Sequence, residues 1–76
     1  ATHQVLRNIK VLLAEAGMTL ENVVKCTIFM TDLNEFQKMN TVYASYFEGV
    51  APARETVEIS RLPMDATIEI SCIAIK

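Results

Sequence analysis

Apolar residues recur three or four positions apart in two stretches of the chain, and this spacing predicts two amphipathic helices. The first apolar stripe comprises Val5, Ile9, Leu12 and Ala16, widened by Leu6 and Leu13; the second comprises Phe36, Met39, Tyr43 and Phe47. Gly17 is expected to end the first helix in a left-handed conformation. Asp32 is a typical N-cap residue for the second, and Glu35 completes a capping-box pattern. Each helix is therefore expected to bury one face.

Three other stretches are rich in β-branched and aromatic residues or alternate between apolar and polar, which predicts strands over residues 23–31, 54–60 and 67–75. Alternation assigns Val24, Cys26, Ile28 and Met30 to one face of the first strand, and Ile68, Ile70, Cys72 and Ala74 to one face of the last. We expect an extended connector at 50–53, a turn at 62–65, and a short turn at 20–22 capped by Thr19.

The predicted order is helix, strand, helix, strand, strand, which is typical of an α+β fold with two helices on one face of a small sheet. Both faces of the first strand are partly apolar, so we expect cover on both sides of the sheet. The chain shows no internal repeat and no linker. Residues 1–76 are therefore expected to form a single domain.

Composition narrows the classes of protein that the chain can represent. Of its 76 residues 51% are hydrophobic and 21% are charged, with a net charge of −2. That apolar content excludes a disordered chain, and the charge balance argues against binding to a nucleic-acid backbone. A chain of this length buries only part of its surface, so the apolar surplus indicates contacts between subunits.

Cys26 and Cys72 are the only cysteines, and each lies in a predicted strand without a metal-ligand motif around it. We interpret them as buried free thiols in a reducing compartment rather than as a disulfide. No apolar run approaches the length of about 20 residues that a membrane span needs. No signal peptide is visible, so a cytoplasmic location is expected, or the mitochondrial matrix in a eukaryote.

Four polar residues are candidates for chemistry, each with a plainer alternative. Arg54 enters a strand directly after Pro52-Ala53 and could grip a carboxylate, although a surface salt bridge is the commoner role. Glu69 interrupts an apolar strand and could transfer protons or simply lie on a solvated face. Asn40 lies on the apolar side of its helix, where a buried amide that hydrogen-bonds to the backbone is the plainer role. His3 is near the terminus, where a solvated side chain is the expected role.

Several spaced segments together resemble the Rid family of reactive intermediate deaminases, also called YjgF-like or liver perchloric-acid-soluble proteins. The segments are Pro52-Ala53-Arg54, Val57, Ser60-Arg61-Leu62-Pro63 and Ile68-Glu69-Ile70, with further agreement in Asn22-Val23-Val24-Lys25, Asp32-Leu33-Asn34, Met39-Asn40 and Tyr46-Phe47. The resemblance covers essentially the whole chain. It implies a fold like that of bacterial chorismate mutase, here without the N-terminal strands that precede the first helix in the family.

The resemblance also implies a function and an assembly. Relatives form homotrimers with active sites between subunits, and they hydrolyse enamines and imines such as 2-aminoacrylate to 2-keto acids and ammonia. By this likeness Arg54 holds the substrate carboxylate, Glu69 acts on the attacking water, and Asn40 lines the cleft. No metal and no cofactor is implied.

The chain departs from the family pattern at two positions beside these residues. Glu55 stands where relatives carry a small or apolar residue, and alternation predicts that it points away from Arg54. Ser71 stands where many relatives carry an acidic residue, and the tyrosine that the family supplies from its N-terminal region is absent from this chain. Two other readings therefore remain open: a non-catalytic small-molecule-binding or regulatory trimer, the class to which translation-inhibitor and ribonuclease labels belong, and an inactive fragment.

Overall fold

Two α-helices and three β-strands follow one another in the predicted order in the computed structural model, which describes residues 1–49 and 51–76. The elements are α1 (Thr2–Glu15), β1 (Val23–Met30), α2 (Phe36–Tyr46), β2 (Ala53–Glu58) and β3 (Ile68–Ala74). Single 3-10 turns occupy Leu20–Asn22, Leu33–Glu35 and Pro63–Asp65. The α+β prediction is confirmed, and the observed strand bounds agree with the predicted ones to within two residues. Val50, part of the predicted connector, lies outside the described residues.

The three strands form one mixed sheet in the order β2-β1-β3. β2 runs parallel to β1, which α2 makes possible because a parallel pair needs a crossover connection. β3 runs antiparallel to β1 on its other side. In one row across the sheet Cys26 pairs with Arg54 and with Cys72, and in another Phe29 pairs with Val57 and with Glu69. Successive rows point to opposite faces, so these two rows face opposite ways.

The core lies between the sheet and the two helices. Leu6, Cys26 and Ile28 are fully buried, and the other buried core residues are Leu13, Val23, Met30, Met39, Tyr43, Phe47, Ile68 and Ile70. The prediction for the first helix was wrong in one respect: Leu12 is 65% exposed, and Leu6 and Leu13 carry the buried stripe. Leu6 and Leu13 are seven residues apart, two helical turns, and this places them on one line toward the sheet.

The start of β1 departs from simple alternation. Val23 is buried, whereas Val24, which the sequence pattern assigned to the core face, is exposed. The pairing with β3 shifts between Val23 and Lys25, so one extra residue is inserted there as a bulge. The bulge reverses the facing of the residues before it, and alternation is regular from Lys25 onward.

Local signals at the helix ends are confirmed in part. Gly17 has φ +74°, the left-handed conformation expected after α1. Thr19 caps the turn at 20–22 through a reciprocal pair of hydrogen bonds with Glu21 and Asn22. The carboxylate of Asp32 accepts from the backbone of Asn34 at 2.9 Å, but it caps a 3-10 turn that precedes α2, and the predicted capping box with Glu35 does not form.

The sheet face away from the helices carries apolar side chains that the described residues leave open. Val57 on β2 and Ile73 on β3 belong to this face, and they are 40% and 58% exposed. Phe29 on β1, the strand between β2 and β3, is half-buried on the same face.

Within residues 1–49 and 51–76 neither helix has the length and apolarity to cross a bilayer.

Candidate functional site

Arg54 is held at the rim of the helix-covered face. It is the second residue of β2 and pairs with Cys26 of β1, which directs its side chain toward α2. Its Nη1 donates a hydrogen bond to Oδ1 of Asn40 at 2.5 Å. The sequence singled out both residues, and the structure brings them into contact.

Two aromatic rings of α2 also contact the Arg54 guanidinium. Its central carbon lies 4.9 Å from the ring centroid of Tyr43 and 5.5 Å from that of Phe36. Such distances permit cation–π attraction, which favours a planar cation over a ring face. Phe36, Asn40 and Tyr43 follow one another at spacings of four and three residues and therefore share one face of α2. One helix face thus orients the guanidinium.

A cleft of about 420 Å³ opens beside this arginine. It is lined by Asn40, Tyr43 and Ala44 of α2, by Phe47 directly after that helix, and by Ala51, Pro52 and Arg54 at the start of β2 and just before it. A guanidinium carries five N–H donors, and the contact with Asn40 engages one nitrogen. The remaining donors suit a carboxylate, which accepts two parallel hydrogen bonds from arginine. The cleft can therefore bind a small carboxylate anion beside apolar walls.

Glu69 lies elsewhere in the chain. It pairs with Phe29, and its row points away from the helices, whereas the Arg54 row points toward them. The two residues also belong to opposite edge strands. Among the described residues its carboxylate has neither a hydrogen-bond nor an ion-pair partner. A single chain therefore does not bring the predicted acid–base residue to the predicted carboxylate clamp.

Glu55 points away from the clamp, as alternation predicted. Its carboxylate forms an ion pair with Lys25 at 3.3 Å and accepts a hydrogen bond from the hydroxyl of Thr27 at 3.5 Å, both on the opposite face of the sheet. The negative charge of Glu55 is thus partly neutralised and lies across the sheet from Arg54. This departure from the family pattern leaves the anion cleft open.

The two cysteines lie next to the clamp, a proximity that the sequence analysis missed. Their sulfurs are 3.1 Å apart, both thiols are free, and Cys26 is fully buried. The hydrogen bond with Cys72 lowers the pKa of Cys26 to about 7 against the opposing effect of burial, with smaller contributions from the neighbouring Tyr43 hydroxyl and the Arg54 charge. The same hydrogen bond raises the pKa of Cys72. The only signal in the sequence is that alternation places Cys26 and Cys72 each on the core-facing side of its strand.

Tyr43 completes this cluster with a buried hydroxyl. The hydroxyl has no hydrogen-bond partner within the part of the chain that the structure describes. Burial raises the pKa of Tyr43, and the neighbouring Cys26 sulfur raises it further. The phenol therefore stays neutral near neutral pH.

His3 takes no part in the cleft. It lies in the first turn of α1, where its Nδ1 is 3.1 Å from the hydroxyl of Tyr46 and its ring meets the Tyr46 ring edge-on. The His3 side chain is exposed, as expected, and it also helps to join α1 to α2. Across residues 1–49 and 51–76, no group of three His, Cys, Asp or Glu side chains is placed to hold a metal ion.

Comparisons with known proteins agree on one family. The sequence model of the family described as Endoribonuclease L-PSP matches residues 1–76. A RutC family protein of Pyrococcus horikoshii is 55% identical over 75 residues, covering 99% of this chain and 60% of that protein. Reactive Intermediate Deaminase A, chloroplastic, of Arabidopsis thaliana is 45% identical over 73 residues, covering 96% of this chain and 39% of that protein.

Structural comparison gives the same result. The crystal structure of the YjgF gene product of E. coli superposes with a TM-score of 0.94 at 40% identity, covering 99% of this chain and 61% of that one. The chain thus spans about 60% of the length of the first relatives it matches. The expected YjgF-like fold is confirmed over that part, and the chain belongs to the Endoribonuclease L-PSP family, which includes the RutC and Rid (YjgF) proteins.

Proposed function

We propose that this protein hydrolyses reactive enamines and imines of small carboxylic acids to 2-keto acids and ammonia. The observation that carries the proposal is the Arg54 guanidinium, oriented by Asn40 and two aromatic rings at the mouth of a cleft. A bidentate arginine fixes a small carboxylate and leaves the adjoining imine carbon in a defined position. The 45% identity to a protein named Reactive Intermediate Deaminase A supports this reaction class.

The reaction needs little beyond positioning and one proton carrier. An enamine first tautomerises to the imine, and water then adds to the imine carbon. Collapse of the resulting carbinolamine releases ammonia and leaves the keto group. In this proposal Glu69 accepts a proton from the attacking water and returns it to the departing nitrogen. The imine carbon is already electrophilic, so the proposed step requires no cofactor.

Because Glu69 and Arg54 face opposite ways within one chain, the proposal places the active site between two subunits. Glu69 of one chain would approach the cleft of a neighbour in a homotrimer. The exposed apolar residues Val57 and Ile73, on the same sheet face as Glu69, support a subunit contact there. A closed ring of identical chains repeats such a contact three times.

The experiment generates 2-aminoacrylate in situ from serine with a dehydratase and measures keto-acid release in competition with semicarbazide, using the protein as its gene encodes it. We expect Arg54→Ala to reduce the rate at least about 100-fold, since the carboxylate loses a charged bidentate partner. Arg61→Ala, at an exposed arginine outside the cleft, is the matched control and should keep full activity. Equal rates for Arg54→Ala and Arg61→Ala would refute the proposal.

One observation favours a second candidate, a binding or regulatory protein without turnover. A single chain holds the arginine clamp but no carboxylate beside it. Crystals grown with pyruvate distinguish the two candidates when combined with the assay: pyruvate on Arg54 without catalysis indicates binding alone. The ribonuclease activity named in the family description is the weaker alternative for this chain, because its net charge of −2 opposes a polyanion.

A further inference from the structure

We propose that Cys26 and Cys72 are a redox-active pair that a peroxide converts into an intrachain disulfide joining β1 to β3. The two sulfurs are already 3.1 Å apart, as a hydrogen-bonded pair of free thiols. They lie on the helix-covered face of the sheet, in the same row as Arg54. This chemistry is distinct from the reaction proposed above, because it needs no substrate in the cleft and does not involve Glu69.

The backbone geometry of this position suits a cross-strand disulfide. Cys26 and Cys72 are direct partners in the antiparallel β1–β3 pair. Farther along the same pair, the backbone N–H of Thr31 donates to the carbonyl of Thr67 at 3.2 Å, which marks that position as a hydrogen-bonded pair. Hydrogen-bonded and non-hydrogen-bonded positions alternate, so the cysteine pair, five positions away, is non-hydrogen-bonded.

Non-hydrogen-bonded partners have the closer backbones. Their Cα atoms are about 4.5 Å apart, which falls within the range of about 4.4–6.8 Å that a disulfide spans. Bond formation therefore requires a small approach of the two sulfurs and no change of strand register. The fold thus holds two cysteines that are 46 residues apart in sequence close enough to form a disulfide.

The electrostatics of the pair favour the reactive thiolate near neutral pH. One thiol donates to the other sulfur, so the first proton is lost easily and the second is retained. The Arg54 guanidinium adds a positive charge nearby, and this charge raises the fraction of Cys26 that is present as the reactive thiolate. Cys26 is fully buried, but Cys72, whose sulfur lies 3.1 Å from that of Cys26, is only half-buried, which gives a molecule as small as hydrogen peroxide a route to the Cys26 thiolate.

The oxidation balances with one peroxide per chain. The thiolate sulfur attacks one peroxide oxygen, the O–O bond breaks, and hydroxide leaves to take up a proton as water. The resulting sulfenic acid is attacked by the second sulfur, the S–S bond forms, and the sulfenic oxygen leaves as a second water. Overall two thiols lose two electrons and two protons, and one peroxide is reduced to two waters. A dithiol reductant reverses the reaction by exchange.

The test treats the reduced protein with hydrogen peroxide, quenches with an alkylating agent in denaturant, and analyses the products by mass spectrometry. We expect both thiols to become unreactive, with a loss of two hydrogens per chain that dithiothreitol restores. Trypsin should release residues 26–38 linked to residues 62–76, because Lys25 and Arg61 precede these segments. Closing the loop between the cysteines should raise Tm by on the order of 10 °C at fixed protein concentration.

Cys72→Ala is the control, placed at the half-buried member of the pair. The same peroxide treatment should leave its Tm unchanged. Three results would overturn the proposal: retention of both thiols in the wild type after its methionines have been oxidised, sulfinic acids in place of the linked peptides, or linkage between chains on a non-reducing gel. Peptide mapping of the wild type decides the matter even where Cys72→Ala folds poorly.

Discussion

Arg54 and Glu69 project from opposite faces of one three-stranded sheet, and they occupy its two different edge strands. No side-chain rotation within one chain can bring the guanidinium and the carboxylate around the sheet to a common substrate. If both residues act on the same molecule, they must come from different chains. Catalysis by these two residues therefore depends on how the chains assemble.

Mixing two inactive variants tests that conclusion directly. We expect Arg54→Ala and Glu69→Gln each to be inactive alone. Refolding them together at equal amounts should restore about a quarter of the wild-type sites, because each intersubunit site then has a one-in-four chance of receiving both intact residues. Keto-acid release from 2-aminoacrylate measures the recovery. Each variant refolded with itself is the control, and a mixture that stays inactive contradicts a shared site.

The hydrogen bond between Asn40 and Arg54 should matter for anion affinity. Asn40→Ala removes the acceptor that orients the guanidinium, and hydrogen bonds to charged groups contribute about 1.5–3 kcal/mol. We therefore expect pyruvate binding to weaken at least about tenfold. Isothermal titration calorimetry measures the change. The matched control is Asn34→Ala, since Asn34 is exposed outside the cleft; similar affinities for the two variants would show that Asn40 does not orient the clamp.

Tyr43 offers a test of the buried hydroxyl. Tyr43→Phe keeps the ring that packs against Arg54 and removes a hydroxyl without a hydrogen-bond partner among the described residues. An unsatisfied buried polar group costs about 1–3 kcal/mol, so the variant should be at least as stable as the wild type in urea unfolding. Tyr43→Leu, which also removes the ring, should lose on the order of 2 kcal/mol. A clear loss of stability in Tyr43→Phe would mean that the hydroxyl is bonded after all.

Stability of the reduced protein should pass through a maximum in mildly alkaline solution. The pKa of Cys26 is lowered to about 7 by its hydrogen bond with Cys72, whereas an unfolded cysteine titrates near about 8.5. Between these values the unfolded chain binds one more proton than the folded chain, so the free energy of unfolding rises with pH by about 2 kcal/mol. That contribution is lost again as the pH falls through about 7.

Above about pH 8.5 the direction reverses. Both cysteines of the unfolded chain then ionise, whereas folded Cys72, whose pKa is raised, retains its proton. Urea unfolding under reducing conditions from pH 6 to 10 measures the profile, and thiolate absorbance reports the titration. Cys72→Ala lacks the hydrogen bond, so its stability should not rise over this interval. A flat wild-type profile would contradict the shared proton.

Much of this architecture follows from local pattern. Alternation along β2 and β3 correctly places Arg54 and Glu55 on opposite faces, and it puts Cys72 on the same face as Ile70, because strand facing depends only on parity. Helix α1 was predicted less well: its apolar spacing is satisfied by more than one stripe, and only docking on the sheet decides that Leu6 is buried and Leu12 is exposed.

Other features depend on contacts between segments that are distant in sequence. The order helix, strand, helix, strand, strand does not say which strand is central, and the bulge at Val23 and Val24 arises from pairing with β3. The proximity of Cys26 and Cys72 likewise exists only once β3 has paired with β1 in one register. Resemblance to a family indicated Arg54 and Asn40 together, but the aromatic partners Phe36 and Tyr43 emerged from the structure alone.

The three residues of α2 that contact Arg54 all belong to a single helix face, so their positions depend on where that helix lies. Helix α2 packs against α1, where the Tyr46 hydroxyl forms hydrogen bonds with His3. The position of the Arg54 guanidinium therefore depends on how α1 and α2 pack against each other, away from the ligand-binding cleft. Substitutions between the helices can widen or narrow the cleft without altering a residue that touches the bound molecule. A lineage can thus change its ligand preference while every residue of the clamp stays the same.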